Sequence, residues 1–205
     1  MFKTETYRIV SIGGLRSYRL RTGDFASVSA CLDYISAKRF LPDQEHLDRG
    51  TVLHDWATAS LNGESFDPPD GYGPDEYELY IAPVLNFFES PGARLISANA
   101  VHKSLHYRIA GRPDITCVLA SDYWIIDLKF CERLIERYDF QLHGYRAMDG
   151  LHGYRMGLLQ VNRAGKRHFA EVPYDSNKSA LIHSAANILR WQMNRAGRDL
   201  IDREP

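Results

Sequence analysis

Gly111-Arg112-Pro113-Asp114 opens a stretch that continues as Ile115-Thr116-Cys117-Val118-Leu119, Ala120-Ser121-Asp122 and Tyr123-Trp124-Ile125-Ile126-Asp127-Leu128-Lys129, then reaches Gln141-Leu142-His143-Gly144-Tyr145. Residues 111–130 carry a hairpin pattern: one apolar run, a turn signal at Ala120-Ser121-Asp122, and a second apolar run. On the second strand, alternation puts Trp124, Ile126, Leu128 and Phe130 on one face, and Tyr123, Ile125, Asp127 and Lys129 on the other. A turn centred between Ala120 and Ser121 sets Asp114 directly across from Asp127. A two-residue slip would keep both on one face, whereas a one-residue slip would separate them. The stretch therefore reads as two carboxylates and an ammonium projecting from one face of a two-stranded edge. Opposed carboxylates repel unless a proton or a cation lies between them. A divalent metal is the simplest resolution.

Pro113-Asp114 followed by Asp127-Leu128-Lys129 resembles the PD-(D/E)XK nuclease signature. Gln141 and Tyr145 fall at the spacing of its RecB-like branch, which includes phage exonucleases, and Gly50-Thr51-Val52-Leu53-His54 is similar to that branch's upstream helix. Each element alone is weak, but the four stand in family order over residues 50–145. The resemblance implies a single domain over residues 1–205 of the α/β class, a mixed central β-sheet flanked by helices in a restriction-endonuclease-like core. It also implies a Mg²⁺-dependent deoxyribonuclease, with Mn²⁺ as a substitute, because hard oxygen ligands favour such ions.

In that reading Asp114 and Asp127 are catalytic metal ligands, and the Leu128 carbonyl and His54 complete the protein side. Lys129 orients the attacking water or neutralises the attacked phosphate. A half-buried structural role is the alternative for His54. Gln141 and Tyr145, four apart on a helix, share a face. They hold a phosphate or base, brace Lys129, or form an ordinary polar helix edge. With Arg112 and Arg146 they are the candidate DNA-binding residues; Arg112 is a backbone clamp if it faces the site and a surface arginine otherwise. The implied role is an exonuclease of phage or bacterial DNA recombination or repair. An endonuclease of the same superfamily and a catalytically inactive nucleic-acid-binding module are the alternatives. DNA is the implied partner, and a homo-oligomer and a recombination partner protein are left open. One departure stands out: many relatives carry a glutamate on the strand before the signature, and Ser97-Ala98-Asn99-Ala100-Val101-His102 has no carboxylate. That weighs against a well-formed second metal site.

The totals agree with a folded chain. Its 205 residues and 44% apolar content suit one domain with a sizeable core. No apolar run is long enough to span a bilayer, and Met1 to Arg8 is charged and lacks a signal-peptide core, so a cytoplasmic protein is expected. The three cysteines, Cys31, Cys117 and Cys131, are too few for the four-cysteine iron–sulfur cluster of some relatives and read as small buried thiols. A net charge of −1 argues against indiscriminate nucleic-acid binding. A basic excess gathers at residues 129–167, where a phosphate backbone would pass. No P-loop is present, so a motor would have to be another chain.

Along the chain, residues 6–21 predict two strands around a Gly13-Gly14 turn, closed by Thr22-Gly23-Asp24. A helix capped by Ser27 or Ser29 is expected to reach about Phe40 before the Leu41-Pro42-Asp43 break. A second helix covers about 44–60, where Gly50 would leave room beside His54. Residues 62–74 form a loop, and a helix over 75–89 is kinked or started by Pro83. Strands are expected around Leu95, Ile96 and Val101 and over His106 to Ile109. A helix follows over 138–149, then strands over 156–161 and 168–172. A last helix, capped by Asp175 or Ser176, is expected to end near Ala196 before a frayed tail.

Overall fold

The computed structural model describes residues 7–12, 15–35 and 44–201. The Gly13-Gly14 turn, the end of the first helix near Phe40 and the Leu41-Pro42-Asp43 break lie outside the described residues, as do residues 1–6 and 202–205. In chain order the strands are β1 (Tyr7–Ile12), β2 (Leu15–Leu20), β3 (Gly23–Ser27), β4 (Ala93–Ala98), β5 (His102–Ser104), β6 (Ile109–Gly111), β7 (Ile115–Leu119), β8 (Asp122–Lys129), β9 (Arg155–Val161) and β10 (Arg167–Val172). The helices are α1 (Val28–Ile35), α2 (Gln44–Leu61), α3 (Pro74–Glu76), α4 (Ala82–Phe88), α5 (Glu136–Arg146) and α6 (Ser176–Ile201), with a π-turn over Tyr77–Ile81 joining α3 to α4.

The expected mixed α/β class is present, but as two five-stranded sheets rather than one: β1-β2-β3-β6-β5 and β10-β9-β8-β7-β4. Each is mixed, because β3 runs parallel to β6 and β8 parallel to β9 while the other pairs are antiparallel. The chain leaves the first sheet at Gly111 and enters the second at Ile115, so Pro113 and Asp114 lie in the crossing. Pro113 brings no N–H to a ladder.

The hairpin register is the expected one, with Ile115 opposite Ile126 and Leu119 opposite Asp122. Ala120 and Ser121 have φ of 48° and 79°, the paired left-handed residues of a two-residue turn that matches strand twist. Its position in the sheet differs from expectation. Strand β8 is central, with β9 on its other side, so the acids sit at the end of an inner strand and not on a two-stranded edge. Parallel pairing requires a crossover, and α5 supplies it. Both faces of β8 are consequently buried. Ile125 packs with Met156, Leu158 and the α1, α5 and α6 residues Cys31, Leu142 and Ile182. Trp124, Ile126 and Leu128 pack with Leu53 and Ala57 of α2 and Val84 of α4.

Other differences have local causes. Thr22-Gly23-Asp24 does not close a pair; Arg21-Thr22 turns the chain into β3, which pairs with β2. Ser27 then caps α1, its Oγ accepting the Ala30 N–H at 3.0 Å. Residues 105–108 are a turn with Arg108 at φ 57°, and Val101 lies outside both flanking strands. The helical register breaks just before Pro83, whose missing N–H the π-turn accommodates. Asp175 caps α6 by accepting the Asn177 N–H at 2.8 Å, and the helix runs to Ile201, past Ala196. Cys31 and Cys117 are buried, but Cys131 is half-exposed. No helix among the described residues is long and apolar enough to cross a membrane.

Candidate active site

Asp114 stands where β6 hands over to β7. Its Oδ2 accepts the Leu128 N–H at 2.7 Å and lies 3.2 Å from His54 Nδ1 on α2. The Asp114 carbonyl accepts the Asn99 N–H at 2.7 Å, which anchors the crossing to β4. In a strand the N–H and C=O of one residue face the same neighbour. The Leu128 carbonyl therefore faces the side from which Asp114 reaches its N–H.

Asp127, one residue before Leu128, is fully buried and ion-paired with the Lys129 ammonium on the same face of β8. Apart from that pair, neither Asp127 oxygen finds a hydrogen-bond donor among the described residues. Lys129 Nζ also donates to Gln141 Oε1 at 3.4 Å and sits 4.5 Å from the centre of the Tyr138 ring. Gln141 Nε2 in turn donates to the Tyr145 hydroxyl at 2.7 Å. The Gln141–Tyr145 pair on α5 thus braces Lys129, one of the roles open to it from sequence.

The charges are set by competing effects. Burial pushes the Asp114 carboxyl up, but His54, Lys129 and the Leu128 N–H outweigh it, and the group is held below the usual carboxylate range. Burial likewise raises Asp127, the nearby Asp114 charge adds to it, and Lys129 offsets only part, so Asp127 is pushed up to about 6. Burial lowers Lys129, but the two carboxylates more than compensate and it stays an ammonium. Two buried acids against one ammonium leave an excess of negative charge that a further cation would offset.

The donor set fits a hard divalent ion: the Asp127 oxygens, Asp114 and the Leu128 carbonyl are all oxygen, and Mg²⁺ keeps several waters beside few protein ligands. Among the described residues, no three His, Cys, Asp or Glu side chains already stand together as a cation cage. His54 contacts Asp114, with its ring edge-on to Phe130 at 5.2 Å between centroids.

The remaining candidates lie apart from this cluster. Arg112 donates to the Tyr7 hydroxyl at 3.0 Å and also bonds Tyr18, so it faces the first sheet. Arg146 donates through Nε to the Tyr154 carbonyl at 3.0 Å and stacks 4.1 Å from the Tyr174 ring, where it holds the turn after α5. Tyr138 is a site residue that the sequence reading does not single out. It lies a turn before Gln141 on α5, and an aromatic residue three positions from a bracing amide is the available signal. Where a strand glutamate would stand, the Ser97 hydroxyl bonds that of Thr116 at 2.7 Å, a neutral pair. Gly50 does not serve close approach: a Cβ there meets nothing within 4 Å. Gly50→Ala is therefore expected to stabilise the protein by about 0.5–1 kcal/mol, read as a rise in the denaturant midpoint.

No family model and no curated protein matches the sequence. Among solved structures, the chain is similar to the alkaline exonuclease LHK-Exo from Laribacter hongkongensis, with a TM-score of 0.51 and 9% identity over 87% of this chain and 94% of that one. It is similar also to LHK-Exo in complex with dAMP, with a TM-score of 0.50 and 10% identity over the same shares. At this identity the likeness is one of fold, and the fold it identifies is a mixed α/β, nuclease-like core.

Proposed function

We propose that this chain is a divalent-metal-dependent deoxyribonuclease that hydrolyses phosphodiester bonds as an exonuclease in phage or bacterial DNA recombination or repair. One observation carries the reading: Asp127 is fully buried with the Lys129 ammonium as its one polar partner among the described residues, and it feels the charge of a second acid, Asp114, so two carboxylates share one ammonium. The nuclease-like fold and its likeness to an exonuclease support it.

Asp114, Asp127 and the Leu128 carbonyl would hold the ion, with His54, 3.2 Å from Asp114 through Nδ1, completing the protein side. When bound, Mg²⁺ or Mn²⁺ supplies positive charge against the phosphoryl oxygens and acidifies a water. His54 fixes the orientation of the Asp114 carboxylate. Lys129 places its ammonium at the attacked phosphate, where it neutralises charge that grows as the nucleophile approaches. Gln141 keeps that ammonium from swinging away, and Tyr145 keeps Gln141 in place.

End-labelled linear DNA and a covalently closed circle, incubated with Mg²⁺, test the reading. An exonuclease degrades the linear molecule and leaves the circle intact. Cutting of both identifies an endonuclease. Binding without cleavage in either Mg²⁺ or Mn²⁺ identifies an inactive module and overturns the proposal.

A further inference from the structure

The first sheet has one face packed on helices. Ser17 bonds the Met193 sulfur of α6 at 3.7 Å, and Ala26 and Ile109 join the cluster built on α1 and α6. Its other face carries a small cluster of its own, Tyr18, Leu20, Phe25 and Ala110, to which no helical residue belongs.

Four cations converge on that second face. The pairings Tyr18 with Phe25, Ser27 with Ala110 and Lys103 with Ala110 put these strands in register. Alternation then adds Arg16, two residues from Tyr18, while Arg108 and Arg112 flank β6 and are placed by their contacts. The side-chain distances agree. The Arg108 guanidinium lies 4.3 Å from the centre of the Phe25 ring and Lys103 Nζ 5.9 Å from it, and Arg112 lies 5.9 Å from the Tyr7 ring. Arg16 is exposed. Among the described residues, no strand residue on this face is acidic; Asp24 points to the opposite face and pairs with Arg19 at 2.8 Å. At the far rim, the Asp149 carboxylate accepts the Leu105 N–H.

Resting on the nuclease reading above, we infer that this face is a platform for the phosphate backbone of the DNA substrate, leading the strand to Asp114. Arg112 stands two residues before Asp114, so the row of cations ends at the crossing that carries the first acid. Arg108 also donates through Nη1 to the Thr22 carbonyl at 3.2 Å, Lys103 Nζ to the Thr22 hydroxyl at 3.0 Å and Arg112 to the Tyr7 hydroxyl at 3.0 Å. These bonds fix the cations in place and use only part of their donors, so further N–H groups can meet phosphate oxygens. The rings beneath are covered: Phe25 is fully buried and Tyr18 nearly so, and neither is open for a base to stack on. The platform therefore reads charge and spacing, not sequence. Three cations of the basic stretch 129–167 are already engaged. Arg155 is paired with Asp122 and Glu171, Arg137 with Asp33, and Arg146 is held on Tyr154.

Duplex binding by the full chain, followed by fluorescence anisotropy in EDTA across a salt series, tests this. The slope of log affinity against log salt changes by about 0.9 for each phosphate that the protein no longer neutralises. Arg16→Gln/Lys103→Gln/Arg108→Gln should flatten the slope by about 2–3. A control with equal charge removed elsewhere, Arg163→Gln/Lys166→Gln/Arg190→Gln, should leave it nearly unchanged. Arg16→Gln alone, at an exposed site, should flatten it by about 0.9, which guards against misfolding of the triple variant. Equal slopes in wild type and both platform variants, or an equal effect of the control, would overturn the platform alone if the wild type cleaves DNA. A wild type that neither binds nor cleaves DNA would overturn the platform together with the nuclease reading.

Discussion

Lys129→Ala is expected to lower Mg²⁺-dependent DNA cleavage by about 10²–10³-fold, the loss seen when one preorganised charge is removed from a developing oxyanion. Asp114→Ala should be at least as severe. Lys129 is held by Asp127, Gln141 and the Tyr138 ring, so its position is fixed before substrate arrives. Such a group acts on the reacting phosphate more than on binding, so the loss should appear in kcat with little change in KM. The folded state should persist, because Asp127 can take up a proton when its ammonium partner is gone. Single-turnover cleavage together with circular dichroism checks both halves, and full activity in a folded Lys129→Ala protein would refute the assigned role.

Adding Mg²⁺ or Mn²⁺ at about 100 times its dissociation constant is expected to raise the melting temperature by roughly 5–10 °C. An ion bound only by the folded state contributes about 2.7 kcal/mol at that concentration, and a chain of this size shifts by about 2–4 °C per kcal/mol. Asp127→Asn should abolish the shift, since it removes the charge that leaves the site unbalanced. The pH dependence has a definite sign. Asp127 titrates at about 6 in the metal-free fold, above its ordinary 3.8. It is therefore a proton carrier of the folded state, and its contribution to stability is fully present below 3.8 and lost as pH rises through 6. Above that window the bare carboxylate is a burden which the ion relieves. The thermal shift should consequently be largest above about pH 7 and shrink below about 6, where a proton competes for the same oxygens. Scanning calorimetry at several pH values with and without the ion checks this, and a shift independent of pH would contradict it.

The hairpin is legible in the sequence because its side-chain period is two and its turn is two residues long. One choice of turn fixes every facing pair of the hairpin, from Leu119 with Asp122 to Ile115 with Ile126. Gln141 and Tyr145 are legible for the analogous reason, helical spacing. What neighbours β8 on its far side is not legible, because parallel pairing with β9 is set by a crossover and leaves no local signal. That is why an inner strand reads as an edge. Strand β3 escapes a sequence reading because Gly23 looks like punctuation when it starts a strand. Arg112 and Arg146 are candidates only by proximity in sequence, but neither side chain joins the acid cluster: Arg146 is held on Tyr154 and Tyr174, and Arg112 turns to the first sheet, beside Tyr7 and Tyr18. The cations Arg16, Lys103, Arg108 and Arg112 are scattered along the chain and gather only when β3 pairs with β6.

The most direct single measurement is digestion of end-labelled linear duplex DNA by chelator-stripped wild-type protein and Asp127→Asn, each with and without added Mg²⁺. Nucleotide release by the wild type only when the ion is restored, and none by Asp127→Asn under any condition, is the expected result. Release without the ion, or equal release by both proteins, would mean that Asp114 and Asp127 do not form the catalytic centre.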